Sequence, residues 1–270
     1  MSAVLPVSMV AKPWGVDAMP PPFIAPPGER IGEVWFQPPP ELPGLLVKYL
    51  FTSEKLSVQV HPSDAQAMAA GLGKAGKEEC WLVIAAEPGA TLGVGFAAPL
   101  SAEAMRAAAL DGSIEDLLVW HPVAPGDFFY IPAGTVHAIG AGVSLIEVQQ
   151  TSDITYRLYD YGRPRELNLD AGIGVSKGEV HSPGLRRRLG ASGAEVLVDG
   201  PLFRLDRLDG PANSATIARY AGRPLLAIPL DGPVEVAGEW VVPGGCGLVR
   251  ELADLVVPAG TRCLIAQDCV

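Results

Sequence analysis

Residues 131–137 read IPAGTVH, a pattern typical of a strand end, a tight turn and a histidine at the start of the next strand. Upstream, Gln59 and His61 occupy positions i and i+2 of an apolar run. Because side chains alternate faces along a strand, both project from the same face and can reach one point. Glu79 stands at the edge of another apolar run. The three segments together predict a metal site inside a β-barrel.

The residue types favour zinc or a similar divalent ion. Imidazole and carboxylate are ordinary zinc ligands, and a side-chain amide oxygen is acceptable as a fourth. A single histidine in a strand is more often a hydrogen-bonded core or surface residue. The chain has four histidines, however, and only His61 and His137 lie in apolar, strand-like contexts. His121 in a predicted loop and His181 in a polar stretch are expected not to be ligands.

Four blocks of sequence resemble, in family order, the signature segments of the type I mannose-6-phosphate isomerases, also called phosphomannose isomerases, in their short bacterial form. The blocks are LSVQVHPSD at 56–64, GKEECW at 76–81, FFYIPAGTVHAI at 128–139 and EVQQTSDITYR at 147–157. The resemblance spans roughly residues 10–170, with weaker support from KPWG at 12–15 and GEVW at 32–35. Beyond residue 170 only similarity of fold is expected.

The resemblance implies an aldose–ketose isomerase that interconverts mannose 6-phosphate and fructose 6-phosphate with one bound zinc ion. The residues that match functional positions of the family are Gln59, His61, Glu79 and His137 as metal ligands, Arg157 as a catalytic residue, Glu147 as an acid for proton transfer, and Lys48, Ser57 and Lys77 near the substrate. Chemically, two bases are open, Glu147 and Lys77, and two substrate-binding roles are open for Arg157, stabilising the developing charge or binding the phosphate. Glu79 is preferred over Glu78 because the family's glutamate directly precedes the Cys-Trp step.

These roles agree with the chemistry. Isomerisation removes a proton next to a carbonyl and returns it to the adjacent carbon, so it needs a base and stabilisation of an enediolate. Lys48 lies in the apolar run 45–50, where a charge is costly unless it faces a cavity or a partner. It is therefore expected to line the pocket. Two other classes remain open: a non-catalytic cupin that binds sugar phosphates, and a metal-dependent cupin enzyme with another substrate.

Composition narrows the partners. The net charge of −10 argues against nucleic acid and anionic membranes, so an anionic substrate needs a local basic pocket, which we expect to contain Lys48 and Arg157. Two interpretations are open for Arg163 and Arg165, contact with the phosphate or a surface pair, and the surface pair is preferred. The four cysteines form neither a C-x-x-C motif nor a disulfide framework, and the N-terminus has no pattern of a signal peptide. A cytoplasmic enzyme with a small-molecule phosphosugar substrate is predicted, and the oligomeric state is left open.

The predicted fold is mostly β: a double-stranded β-helix (cupin, jelly-roll) barrel, a second smaller β-barrel and a few short helices. Proline-rich residues 13–43 predict an extended wrapping segment. Strands are predicted at 45–51, 56–61, 79–85, 127–131, 135–139 and 143–150. Helices are predicted from Ser63-Asp64 to Ala70, from Ser101 to Leu110 and from Ser113 onward.

A weak repeat predicts the second barrel. VPAGTRCLI at 257–265 repeats IPAGTVHAI at 131–139, with Cys263 in the place of His137. Cys263 is expected to be a small buried packing residue, because no histidine follows His181. Residues 1–175 are thus predicted to form the wrap and the metal-binding barrel, and residues 190–270 a smaller barrel without a metal site.

Overall fold

The computed structural model describes residues 3–269. Its first twelve strands are β1 (Val7–Val16), β2 (Ile31–Phe36), β3 (Leu45–Phe51), β4 (Val58–Val60), β5 (Glu79–Ala86), β6 (Thr91–Phe96), β7 (Leu118–Pro122), β8 (Asp127–Ile131), β9 (His137–Ile139), β10 (Val143–Gln150), β11 (Tyr156–Tyr159) and β12 (Arg186–Arg188). They form a seven-stranded sheet, β1-β2-β3-β10-β5-β8-β12, and a five-stranded sheet, β11-β4-β9-β6-β7.

Eight further strands follow: β13 (Glu195–Asp199), β14 (Phe203–Asp209), β15 (Leu225–Pro229), β16 (Val234–Val236), β17 (Glu239–Val241), β18 (Gly247–Val249), β19 (Leu255–Val256) and β20 (Arg262–Asp268). They form a five-stranded sheet, β13-β14-β20-β15-β18, and a three-stranded sheet, β17-β16-β19. The mostly-β class is therefore confirmed. Closed barrels are not, because each hydrogen-bonded sheet within residues 3–269 stays open.

Within residues 3–269, five short helices lie between the strands: α1 (Asp64–Ala69), α2 (Ala102–Asp111), α3 (Ile114–Leu117), α4 (Leu169–Val175) and α5 (Ser214–Arg219). Two 3₁₀ turns cover Pro183–Leu185 and Leu252–Asp254. The three predicted helix starts are confirmed. Ser63 forms a capping box with Gln66, and Ser101 accepts a hydrogen bond from the backbone of Ala104. Ser113 precedes α3 without a side-chain cap.

The proline-rich N-terminal segment is only partly a wrap. Residues 17–30 are irregular and contain turns, and Ile31–Phe36 is a paired strand between β1 and β3, a position that the proline content did not predict. Pro13 lies in β1, at the edge of the seven-stranded sheet, where a missing backbone N–H is tolerated. The run Pro20-Pro21-Pro22 is outside both strands.

One apolar core joins the two halves of the chain. Phe36 and Tyr49 from the first sheet belong to the same buried cluster as Phe203, Leu226 and Leu264 from the third. Cys263 is fully buried in a neighbouring cluster, which confirms its packing role. Among residues 3–269, no helix is long and apolar enough to cross a bilayer.

Candidate metal centre and active-site cavity

Strand register brings the predicted ligands together. Gln59 on β4 is paired with His137 on β9, and on its other side with Arg157 on β11. Glu79 opens β5 in the facing sheet. These residues are far apart in sequence, so only the pairing of β4 with both neighbours makes them adjacent.

The turn before β9 fixes the position of His137. Gly134 has φ = +84°, a left-handed conformation that glycine adopts without strain. Its N–H donates to the carbonyl of His61 at 2.9 Å, so the turn is tied directly to the other histidine strand. A Cβ added here would meet the carbonyl oxygen of Val175 and Cγ of Lys177 at 2.9 Å. The IPAGTVH segment thus needs glycine for both conformation and space.

His61, Glu79 and His137 form a buried cluster of potential ligands. Their side chains are at most 1% exposed, and one ligand atom from each lies within 4.8 Å of the others. Nε2 of His61 is 3.6 Å from Oε2 of Glu79, and Nε2 of His137 is 3.3 Å from Oε1. Within residues 3–269 this is the one group of three or more such side chains.

Backbone carbonyls set the tautomer of both rings. Nδ1 of His61 lies 2.8 Å from the carbonyl oxygen of Ile154, and Nδ1 of His137 lies 2.9 Å from that of Thr135. A carbonyl can only accept, so each Nδ1 must carry the proton and each Nε2 must present its lone pair. This is the arrangement in which a histidine binds a metal through Nε2.

Electrostatics keep the cluster in its ligand form. Burial, and next the Lys77 charge, lower the pKa of His61 to about 4, and burial lowers the pKa of His137 as well. Burial alone would raise the pKa of Glu79, but the Lys77 ammonium and then the His61 ring hold it well below its usual value. At neutral pH the cluster is therefore one carboxylate beside two neutral imidazoles.

This donor set fits a divalent cation. Oε1 of Glu79 is fully buried and has no hydrogen-bond partner within residues 3–269, while the unprotonated Nε2 of His137 lies 3.3 Å from it. Two acceptors in contact are unfavourable unless a cation lies between them. Glu78, the neighbouring acid, instead accepts from the hydroxyl of Tyr130, which supports the choice of Glu79.

Gln59 is at the edge of this cluster. Its Nε2 lies 3.2 Å from Nε2 of His137, and its Oε1 accepts from the hydroxyl of Ser57 at 3.2 Å. Because a ligating amide uses its oxygen, ligation by Gln59 requires the amide to be turned over. Gln59 therefore lies where the sequence predicted a ligand, but its amide nitrogen, not its oxygen, is directed toward His137.

A cavity of about 350 Å³ opens beside the cluster. Of the sequence-predicted residues, it is lined by Lys48, Ser57, Gln59, Lys77, Glu147 and Arg157. The cluster adjoins this cavity through Lys77, which contacts both His61 and Glu79, and through Gln59. Substrate in the cavity would thus lie against the proposed metal ligands.

A buried row of alternating charges crosses the seven-stranded sheet. Lys48 lies directly across the strand pair from Glu147, with Nζ 3.2 Å from Oε1, and Lys77 is 3.8 Å from the same oxygen. Oε2 of Glu147 accepts from the indole N–H of Trp81 at 3.0 Å. Burial lowers the pKa of Lys77, but Glu147 and then Glu79 outweigh it, so the pKa is raised. Lys77 is consequently an ammonium in this geometry.

The sequence did not identify one end of the cavity. Lys12 on β1 is 3.0 Å from the carboxylate of Glu33 on β2, which also accepts from the indole of Trp35 at 2.8 Å. The Trp35 ring faces Lys48, with Nζ 4.4 Å from its centroid. A signal existed, since Glu33 and Trp35 are two residues apart in a strand and share a face.

The expectation for Arg163 and Arg165 is wrong. Both pair with Asp160, which is only 2% exposed, and their own side chains are 16% and 24% exposed. Arg165 lines the cavity, whereas Arg163 points elsewhere and donates to the carbonyl of Lys55. A buried carboxylate requires cationic partners, and the sequence did not show that Asp160 is buried.

The chain was found to be similar to known proteins in both sequence and fold. No family model matches the chain. It is 42% identical over 167 residues to the mannose-6-phosphate isomerase of Streptococcus mutans, an alignment covering 59% of this chain and 52% of that protein. It is 45% identical over 137 residues to the mannose-6-phosphate isomerase ManA of Bacillus subtilis, covering 48% and 43%. The aligned part of the chain spans about half the length of these relatives.

The fold is similar over nearly the whole chain. The crystal structure of the mannose 6-phosphate isomerase from Bacillus subtilis superposes with a TM-score of 0.77 at 23% identity, covering 99% of this chain and 100% of that one. A zinc-bound mannose 6-phosphate isomerase superposes with a TM-score of 0.73 at 15% identity, covering 99% of each chain. The resemblance to phosphomannose isomerases is therefore confirmed, by sequence over about half of the chain and by fold over nearly all of it.

Proposed function

We propose that this protein is a metal-dependent aldose–ketose isomerase that interconverts mannose 6-phosphate and fructose 6-phosphate. The observation that carries the proposal is the buried cluster of His61, Glu79 and His137, with each Nε2 unprotonated and within 3.6 Å of the carboxylate, beside a cavity that holds Arg157 and Glu147. The names of the sequence relatives supply the substrate.

The proposed cofactor is one zinc ion held by His61, Glu79 and His137, with Gln59 as the fourth ligand after its amide turns over. Two neutral imidazoles, a carboxylate and an amide oxygen suit a redox-silent ion, and a fold neighbour is zinc-bound. When bound, the ion supplies Lewis acidity that polarises the substrate's carbonyl.

Proton transfer is assigned to Glu147, one of the two bases that the sequence left open. Its carboxylate lines the cavity and is held at three points, by Lys48, Lys77 and the indole of Trp81. A fixed carboxylate can take the proton from one sugar carbon and return it to the next. Lys77, whose pKa is raised, suits the complementary role of a cation beside the developing enediolate.

Arg157 is assigned to the transition state. Register places it directly opposite Gln59, so its Cβ is expected at about 4.5–5.5 Å from that of a proposed ligand. Its Nε is buried without a hydrogen-bond partner within residues 3–269, and no carboxylate there forms an ion pair with it. A guanidinium with unused donors can stabilise negative charge that forms on the substrate. Ser57 and Lys48 are proposed to contact the sugar.

The test is a coupled assay with mannose 6-phosphate on protein of measured metal content. Arg157→Ala is expected to lower kcat roughly 10²- to 10³-fold, the usual cost of losing one oxyanion donor, with metal content unchanged. Arg157→Lys should restore little, because lysine lacks the planar fork. Near wild-type turnover in Arg157→Ala contradicts its role. Absence of isomerisation by the metal-replete wild type would instead support the binding-protein or other-substrate alternatives.

The finer architecture and location belong to the same proposal. We propose that residues 1–175 build the metal-binding unit on the double-stranded β-helix plan, and that residues 190–270 build a smaller related unit without a metal. The repeated turn at 257–265 supports this. The net charge of −10 argues against nucleic-acid and anionic-membrane partners, and the absence of a cysteine framework suits a cytoplasmic enzyme.

A further inference from the structure

Three of the lysines that line the cavity are already committed to buried carboxylates. Lys12 pairs with Glu33 at 3.0 Å, Lys48 with Glu147 at 3.2 Å, and Lys77 with Glu79. Glu33 and Glu147 themselves line the cavity, and Lys77 is also near Glu147, so an incoming anion at any of these lysines would meet a negative charge that faces the cavity. Lys48, which the sequence suggested as part of a phosphate site, is therefore unsuited to that role.

The β1–β2 edge of the cavity is unsuitable for a second reason. Lys12 and Glu33 lie on β1 and β2, whereas Glu79 opens β5, and two strands, β3 and β10, separate β2 from β5. Three strand spacings amount to roughly 14 Å. The Glu33 carboxylate would also repel a phosphate there. Once the three lysines are excluded, the described cationic side chains that still line the cavity are Arg157 and Arg165.

Arg165 is the more rigidly held of the two. Its Nε and Nη2 donate to the two carboxylate oxygens of Asp160, each at 2.6 Å, in the bidentate geometry that fixes a guanidinium plane. Asp160 is 2% exposed and Arg165 is 24% exposed. Nη1 has no partner within residues 3–269, so the fork is anchored on one side and available on the other.

The loop that carries Arg165 has a defined conformation. Asp160 and Arg163 are the ends of a turn closed by a 3.0 Å backbone hydrogen bond, with φ of 54° at Tyr161 and 77° at Gly162. A non-glycine residue in the left-handed region is strained, and such strain persists where surrounding contacts enforce it. Here Arg163 anchors the turn by its contacts to Asp160 and to the carbonyl of Lys55.

Arg157 and Arg165 face the same cavity, and Asp160, whose charge acts on both, does not line it. Partial burial and then the Arg165 charge lower the pKa of Arg157, so the two guanidiniums repel each other. A phosphate on Arg165 would use its free Nη1 and lessen that repulsion, while Arg157 keeps its donors for charge that forms on the sugar.

We propose that Arg165 grips the phosphate of the substrate, and that Asp160 is a positioning residue that presets Arg165. This rests on the proposed function only in that the anion is the phosphate of a phosphosugar. Arg165 makes the protein selective for phosphorylated sugars, while Arg157 and the proton-transferring end of the cavity act on the sugar carbons.

The test uses metal-loaded full-length protein and two readouts. The first is binding of inorganic phosphate by calorimetry, and the second is KM and kcat for mannose 6-phosphate. Arg165→Gln is expected to weaken phosphate binding and raise KM roughly 10- to 100-fold, the range of one or two charge-assisted hydrogen bonds, with kcat nearly unchanged. Arg165→Lys should lie between it and wild type. Asp160→Asn should raise KM less and leave kcat nearly unchanged, because the guanidinium keeps its charge but loses its orientation.

The matched control is Arg106→Gln, which removes the same charge from an exposed pair with Asp170 on the surface. It should change neither readout. Wild-type phosphate affinity and KM in Arg165→Gln overturn the proposal, as does a wild type that shows no phosphate binding. If Arg165→Gln fails to fold, Arg165→Lys decides, since it keeps the charge beside Asp160: unchanged affinity and KM there overturn the proposal.

The failure of this inference can be told from that of the proposed function. One outcome is that the wild type binds phosphate without isomerising mannose 6-phosphate, while Arg165→Gln binds no phosphate. In that case the proposed reaction is wrong and the anion site stands. If the wild type is active and Arg165→Gln keeps its KM, the reaction stands and Arg165 is structural.

Discussion

Two neutral imidazoles and one carboxylate lie together in the core. Each ring is held in its orientation because its Nδ1–H donates a hydrogen bond to a backbone carbonyl. His61 donates to Ile154 and His137 donates to Thr135. The strands thus choose the tautomer as well as the position. The site would lose its ligand geometry if either ring were free to rotate, since Nε2 and Nδ1 would then compete for the cation.

We predict that His137→Ala abolishes stoichiometric binding of a divalent ion, because it removes one of the ligands in the cluster. The measurement is metal content after dialysis, together with far-UV circular dichroism to show that the fold persists. His121→Ala is the matched control, since His121 lies on β7 and outside the cluster. Full metal retention in both His137→Ala and His61→Ala would contradict the assignment.

A histidine outside the site is predicted to make stability depend on pH. His181 is 6% exposed, stacks near Phe129 and donates from Nε2 to the carbonyl of Tyr130, while its Nδ1 has no partner within residues 3–269. Burial lowers the pKa of His181 below the ordinary 6.5. The unfolded chain therefore binds a proton that the folded chain does not, so this stabilisation is complete above about pH 6.5 and is lost as the pH falls.

We expect the free energy of unfolding to fall between about pH 7.5 and about pH 5.5, and to fall less in His181→Gln, whose amide can still donate to Tyr130. Denaturant titrations of both proteins in a metal chelator keep the contribution of His61 and His137 the same in each. An identical pH dependence in the two proteins would show that His181 does not titrate in this range.

At the scale of elements, two turns with the same sequence have different roles. The Pro-Ala-Gly-Thr turns at 132–135 and 258–261 are closed by matching hydrogen bonds, from Thr135 to Pro132 at 3.1 Å and from Thr261 to Pro258 at 3.0 Å. Their glycines have φ of +84° and +77°. The first leads into His137 and the second into β20 with Cys263, so one local structure is used with and without a ligand.

We predict that Gly134→Ala is more damaging than Gly260→Ala. Both force alanine into the left-handed region at about 1 kcal/mol, but only at Gly134 would the new Cβ meet neighbours, at 2.9 Å. Around Gly260 nothing lies within 4 Å. Thermal unfolding should therefore show the larger loss for Gly134→Ala, and only this variant should also bind metal more weakly. Equal losses of thermal stability in the two variants would mean that the loop around Lys177 moves away from the new Cβ without cost.

At the scale of the whole molecule, the two halves share their largest core cluster. Phe36 and Tyr49 from the first sheet pack in the same cluster as Phe203 and Leu264 from the third. Apolar area buried between halves is lost when either unfolds, so their stabilities are coupled. The change of sheet falls between β12, which ends at Arg188, and β13, which begins at Glu195, and a common core lies beneath it.

We expect the full chain to unfold in one cooperative transition, with coincident midpoints by circular dichroism and tryptophan fluorescence. Phe203→Ala, at a fully buried position, should destabilise the protein by about 3–5 kcal/mol and shift the whole transition. Most of the tryptophans, including the buried Trp81, belong to the first half and report on it. A fluorescence midpoint that stays in place while the circular dichroism midpoint moves would show independent units.

The sequence determined the features that depend on neighbours along the chain. Apolar runs between Gly and Pro predicted the strands Leu45–Phe51 and Val143–Gln150, and Ser63 and Ser101 marked helix starts through their own side-chain hydrogen bonds. Family motifs identified the residues of the candidate metal site. Strand β2 was missed, because nearby prolines obscured a pattern that only pairing with β1 and β3 stabilises.

The tertiary structure alone decided which charges meet. Lys48 and Glu147, 99 positions apart, become partners because β3 and β10 pair in one register, and Arg165 turns into the cavity because Asp160 is buried beside it. Burial and long-range pairing are properties of the packed chain, and a charged residue in a sequence carries no mark of either. For this reason the residues of the site were evident from the sequence, whereas the direction and partner of each charge required the fold.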